Sequence, residues 1–129
     1  MDHTQQEDLL AFFSQQPQAL PLCEAFLQKL QAQHPETHTR VQKTQIAFSN
    51  RHIFACLSFA RVRKKALLPD PYLVLTLGLP APLASPRAEI KTEPYPGRWT
   101  HHILLSAPDD LDPELMGWVA EAYAFAQEK

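Results

Sequence analysis

Apolar residues follow two different rhythms along this chain, and the switch between them separates helical ends from an extended middle. Near the N-terminus, Thr4-Gln5-Gln6-Glu7 has the form of a capping box, a hydroxyl followed three residues later by an acid, with Leu9, Leu10, Phe12 and Phe13 after it. A first helix is predicted over about residues 5–15, then a joint at 15–18 around Pro17. Pro21 suits the first turn of a second helix. Leu22, Cys23, Phe26, Leu27 and Leu30 recur at steps of three and four, the stripe of an amphipathic helix that ends before Pro35.

The period then falls to two. Residues 39–42 and 44–49 read as strands, with Ile46 and Phe48 on one face, and Ser49-Asn50-Arg51 is a turn in which asparagine tolerates a left-handed backbone. Residues 52–62 are apolar on both parities, as in a central strand covered on both sides for part of its length. Leu73, Leu75, Leu77 and Leu79 alternate against Tyr72, Val74 and Thr76 in another strand. Residues 87–92 make a short edge strand and 98–105 a firmer one. Nine of the twelve prolines lie between Pro69 and Pro113, so residues 80–97 are expected to be mostly loop and turn. Asp112 as cap and Pro113 in the first turn open a last helix, whose buried stripe is Leu115, Trp118, Val119, Ala122 and Ala126.

The order is helix, helix, strands, helix, and the connections are too short for parallel crossovers. The expected fold is α+β: a two-layer domain with two N-terminal helices, an antiparallel sheet of about five strands and a C-terminal helix. Residues 1–129 read as a single domain, with 1–17 a helical extension and 18–127 the core.

Composition narrows the function classes. A chain of 129 residues, 45% hydrophobic and 20% charged, can bury one core and is not disordered. Its longest apolar stretch, Ile53 to Ala60, is far short of the roughly 20 residues of a membrane span. The polar N-terminus lacks the pattern of a signal peptide. Cys23 and Cys56 sit among hydrophobic neighbours and read as buried free thiols, which suits a reducing compartment, and a cytoplasmic location is expected. Gly78, Gly97 and Gly117 cannot form a phosphate-binding glycine loop, and no cofactor is expected.

Charge changes the picture more. Net charge is −2, yet residues 37–69 hold seven bases and no acid: Arg40, Lys43, Arg51, Arg61, Arg63, Lys64 and Lys65. One reading makes this block a positive face for phosphate or carboxylate groups. The other makes it a set of solvated strand and turn residues that meet the acidic helices in space.

Candidate chemistry lies on two strands. In Gly97-Arg98-Trp99-Thr100-His101-His102, alternate side chains point to opposite faces. Trp99 and His101 share a face with Ile103 and Leu105, whereas Arg98 and His102 share the other. The histidines therefore diverge, and no metal site is expected. His101 reads as a hydrogen-bonded core histidine; His102 has the better claim on a polar pocket, as acid, base or anion donor. Trp99 is either core or the wall of a pocket that stacks an anionic ring. Lys43 either projects into a shallow polar cavity or reaches solvent. Arg87 and Arg98 flank the proline-rich loop, and Arg63 ends a strand.

Five segments together resemble a small bacterial family, domain of unknown function 5655, also labelled a predicted transport protein. They are Lys43-Thr-Gln-Ile-Ala-Phe48, the basic strand end at Arg63-Lys-Lys65, Pro86-Arg87, Gly97-Arg-Trp-Thr-His-His102, and Asp110-Leu-Asp-Pro-Glu-Leu115 with Trp118 and Glu121-Ala-Tyr123. The resemblance covers roughly residues 18–127 and brings no catalytic residues with it. Similar modules occur alone or beside nuclease-like domains, which implies a nucleic-acid-related role by association only.

Three functions follow as expectations. The leading one is a binding module whose basic and aromatic face or pocket (Lys43, Arg63, Arg87, Arg98, Trp99, His101, His102) holds an anionic ligand or nucleic acid. A protein-interaction module or homodimer is the alternative. The third, an enzyme with His102 as general base, lacks an identifiable nucleophile or carboxylate partner.

Overall fold

The computed structural model describes residues 3–128. Helix α1 spans His3–Phe12, a 3₁₀ turn covers Pro17–Ala19, and α2 spans Leu20–Gln33. Six strands follow: β1 His38–Val41, β2 Gln45–Asn50, β3 His52–Ser58, β4 Leu73–Leu79, β5 Ala88–Tyr95 and β6 Arg98–Leu105. Helix α3, Pro113–Gln127, closes the chain. All pairings are antiparallel in the order β1-β2-β3-β4-β6-β5, so the architecture is α+β.

Four local details depart from the sequence reading. The chain is already helical at His3, so Thr4 lies inside α1 and is not its cap, and α1 ends at Phe12 rather than near residue 15. The sheet has six strands rather than about five, because β5 is a full eight-residue strand; its Pro94 is tolerated since β5 is the sheet edge and no ladder bond is lost there. β3 stops at Ser58, and residues 59–72 form a loop. At the β2–β3 turn it is Arg51 that adopts the left-handed backbone, at φ 69°. Asn50 is committed elsewhere, donating its amide to Tyr123 Oη at 2.6 Å.

The two faces of the sheet have different fates. Ile46, Phe48, Ala55, Leu57, the four β4 leucines, Ile103 and Leu105 join Leu22, Phe26 and Leu30 of α2 and Leu115, Val119 and Ala122 of α3 in one core. Phe26 and Phe48 meet at 5.4 Å, tilted, with both rings fully buried. A bulge in β3 enlarges this core. Phe48 pairs with Ala55 and Ser49 with Ile53, so Phe54 and Ala55 both bury and Phe54 packs edge-on to Tyr123 of α3. Helix α1 lies against β1, and Gln5 Nε2 donates to Thr39 O at 2.6 Å, occupying part of that sheet edge.

Among the described residues no helix lies across the other face, and α1 reaches its margin only with Phe12. Its cross-strand rows follow from the register: Gln45, Ser58, Val74 and Leu104 in one, and Ala47, Cys56, Thr76 and His102 in the next, with Ile90 beside His102. The 59–72 loop crosses one end of this face. Arg63, midway along it, pairs with Glu89 of β5, two strands beyond β4, and shares a hollow with Leu104. Val74 is fully buried on this face, whereas Thr76 and His102 farther along are half-open.

Candidate functional site

The open face carries a shallow cavity of about 580 Å³ beside the crossing loop. Thr76 and His102 contribute from the sheet centre and Gln45 and Ser58 from the neighbouring strands; Lys43 and Thr44 come from the β1–β2 turn, and Phe12, Phe59 and Ala60 make an apolar wall. Strand alternation explains the lining. Lys43 and Gln45 share the odd parity with Ala47, and Thr76 interrupts the leucines of β4 on the parity that faces away from the helices.

The electrostatics favour a negative guest. Lys43 is exposed and has no ion pair among the described residues, and no carboxylate lines the cavity. His102 Nδ1 lies 3.0 Å from Thr76 Oγ1. Burial pushes the His102 pKa below its ordinary 6.5, so at neutral pH the ring is uncharged and offers one donor and one acceptor. With the hydroxyls of Thr44, Ser58 and Thr76 and the amide of Gln45, the cavity has one full positive charge and a ring of neutral hydrogen-bonding groups. Phe12 and Phe59 stack at 5.6 Å, which fixes the apolar wall.

The seven residues singled out from the sequence do not form one cluster. Lys43 and His102 are together. Arg63 and Arg87 line a separate hollow of about 400 Å³, and both are already neutralised. Arg63 pairs with Glu89. Arg87 Nη1 donates to Asp112 at 2.9 Å and 3.0 Å and to Glu114 at 3.2 Å, Nη2 donates to Asp110 O at 2.6 Å, and the guanidinium lies 5.5 Å from the Trp118 ring centre. Burial works against its charge, but the two carboxylates more than offset that and raise its pKa. Asp112 is held low by the Leu115 N–H it caps and then by Arg87. Arg87 is thus a clamp between the 80–87 loop and the start of α3. The acidic start of the last helix is its partner.

His101 is on the core face and fully buried. Its Nε2 accepts the Leu83 N–H at 3.0 Å, while Lys91 Nζ donates to Leu83 O at 2.9 Å, so the peptide groups on both sides of Leu83 in the 80–87 loop are held. Burial is the main cause that lowers the His101 pKa, and the nearby positive charge of Lys91 adds to it. Trp99 is half-buried on the same face, opposite Leu79, and Arg98 is exposed opposite Tyr95 at the β5–β6 turn. Cys23 is buried and Cys56 half-buried on the open face; burial raises their thiols to about 12 and about 11, so neither is a ready thiolate.

Gln45, Ser58, Thr76, Phe12 and Phe59 were not apparent from sequence. The available signal was their parity: polar residues inside apolar strands, all on the side away from the helices. Phe12 and Phe59 reach the site only through the tertiary arrangement of α1 and the loop. Among the described residues, no group of three histidine, cysteine or acidic side chains could hold a metal ion, and no helix is long and apolar enough to cross a membrane.

Residues 11–126 match the model of the family described as Domain of unknown function (DUF5655). The matched segment begins in the last turn of α1 and includes every lining residue of the cavity named above. The comparisons with curated proteins and with solved structures return no match.

Proposed function

We propose that this chain, which belongs to the DUF5655 family, is a cytoplasmic binding module that holds an anionic ligand in the cavity on the open face of its sheet. The observation that carries the reading is the composition of that cavity: one unpaired lysine, a neutral histidine, three hydroxyls, an amide and an aromatic wall, with no carboxylate. Gln45 Nε2 already donates to Gln42, Ser58 Oγ accepts the Ala60 N–H and Thr76 is bonded to His102. A phosphate or carboxylate would therefore be held chiefly by Lys43 and by the hydroxyls' remaining capacity, with an apolar ring against Phe12 and Phe59. The role is binding rather than catalysis, because His102 is oriented by a threonine and not by an acid.

Calorimetric titration with inorganic phosphate and with phenyl phosphate tests the reading. Phenyl phosphate is expected to bind more tightly than phosphate, and Lys43→Ala to weaken both at unchanged melting temperature. Absence of binding by either probe, or affinity indifferent to Lys43→Ala, overturns it.

A second reading, self-association through β5, rests on the free edge of that strand and its exposed Ile90 and Tyr95. Glu89, Lys91, Glu93 and Pro94 on the same strand are the residue types that discourage edge pairing. A mass that rises with concentration and returns to the monomer value in a Tyr95→Lys variant would favour it.

A further inference from the structure

Phe59 borders two hollows at once. One side of it lines the Lys43–His102 cavity, and the other lines a second cavity of about 440 Å³, to which Arg61, Lys65, Asp70, Gln18 and Tyr72 contribute. The ring is held in place between them. It stacks with Phe12, meets Phe13 and Tyr72 edge-on at 5.6 Å and 5.7 Å, and its backbone carbonyl accepts the Tyr72 hydroxyl at 3.0 Å.

The charges continue across this partition. Arg61, Lys64 and Lys65 are exposed on the crossing loop, and like Lys43 they have no ion pair among the described residues. Asp70 is the one carboxylate in either lining, and it accepts a hydrogen bond from Gln18 Nε2 at 2.7 Å. A guest that uses both hollows must repeat negative charge along its length and carry flat, largely apolar units between the charges.

We propose that this face binds a single-stranded nucleic acid, with its backbone running from Lys43 to Arg61 and Lys65 and a base packed against the Phe12–Phe59 wall. The proposal rests on the anion-binding reading above and extends it from one charged group to a chain of them. Concave hollows separated by a ring are shaped for an unstacked strand, in the manner of single-strand binders that combine a cationic track with aromatic surfaces. A duplex is disfavoured by the net charge of −2, since duplex binders are broadly basic. An acidic peptide would supply the charge but not the flat units.

The test is fluorescence anisotropy with labelled oligothymidylate and oligoadenylate of two lengths, over a range of salt. The same sequence as a duplex, a poly-glutamate peptide, a nucleoside monophosphate and inorganic phosphate serve as competitors. The longer oligonucleotide is expected to bind most tightly. Three phosphate contacts predict a slope of log K against log salt of about −2, at about −0.7 per contact. Arg61→Ala and Lys65→Ala should each reduce the slope by about 0.7. Phe12→Ala should weaken binding by about tenfold, with a thermal melt to show that the variant folds, and Lys29→Ala on α2 should change nothing. If phosphate and the monophosphate bind but the oligonucleotide is no tighter and ignores Arg61→Ala, this proposal falls and the single-anion reading stands. If no probe binds, both fall. Equal competition by duplex or by poly-glutamate also overturns it.

Discussion

His101 and His102 are neighbours in the chain and lie on opposite faces of one sheet, and the two faces are covered differently. His101 is fully buried on the face that carries the core, and its ring holds the Leu83 N–H of the 80–87 loop. His102 looks onto the opposite, more open face, bonded to Thr76 beside a lysine that has no ion pair among the described residues. The same residue type is therefore sealed in the core on one side and, on the proposed reading, available for recognition on the other. What decides the role is the covering layer, not the imidazole.

If that contrast is right, substitutions should divide by face. The largest loss is expected on the closed side: Phe48→Ala removes a fully buried ring from its contact with Phe26 and should lower unfolding free energy by about 3–5 kcal/mol. Thr76→Ala on the open side should cost less than about 1 kcal/mol while weakening ligand binding. Urea denaturation of the two variants measures the difference, and comparable losses would erase it.

Next in size is Arg87. Although it is one of the basic candidates, it belongs to the stabilising side, so Arg87→Ala should cost on the order of 1–2 kcal/mol through lost hydrogen bonds and the lost Trp118 contact. Phenyl phosphate affinity should be unchanged. A reduced affinity without loss of stability would move Arg87 to the binding side.

The histidines sharpen the comparison through pH. Burial holds His101, His102 and His34, which follows α2 and stacks on Tyr123, below 6.5 in the folded chain, so the unfolded chain binds more protons just below that value. Their contribution to stability is therefore complete above pH 6.5 and is lost progressively as pH falls from 6.5 through the folded pKa values. Because His101 Nε2 accepts from Leu83, its proton sits on Nδ1, and nitrogen-detected NMR should show that tautomer. A titration midpoint of His101 at or above 6.5, or the opposite tautomer, would contradict the sealed environment.

The smallest effect concerns the β2–β3 turn. Arg51→Gly removes the side-chain clash of a left-handed residue and should raise stability by up to about 1 kcal/mol, read as a rise in melting temperature. A fall would show that the Arg51 side chain contributes more than its backbone costs.

These residues also show what the sequence could reveal. The alternation of Leu73, Leu75, Leu77 and Leu79 and the stripe of Leu22, Phe26 and Leu30 reflect local periods of two and 3.6, so the closed face and its helices were legible. The opposite directions of His101 and His102 followed from the same alternation. The bulge that buries both Phe54 and Ala55 was not legible, because it depends on pairing with β2. Likewise, Arg87 meets Asp112 and Glu114 across 25 and 27 residues, and Arg63 meets Glu89 only because the 59–72 loop crosses the sheet. Charges that looked available along the chain are partly spent on contacts that strand order creates. Lys43 remains a candidate because it has no ion pair among the described residues.

The most direct test of the account is a titration of isotope-labelled protein with phenyl phosphate, followed residue by residue by NMR. Saturable shifts are expected at Lys43, Gln45, Ser58, Thr76 and His102, with His101 and the α2 and α3 residues behind the sheet unmoved. Shifts centred on Arg98 and Trp99, or on the helical face, would contradict it.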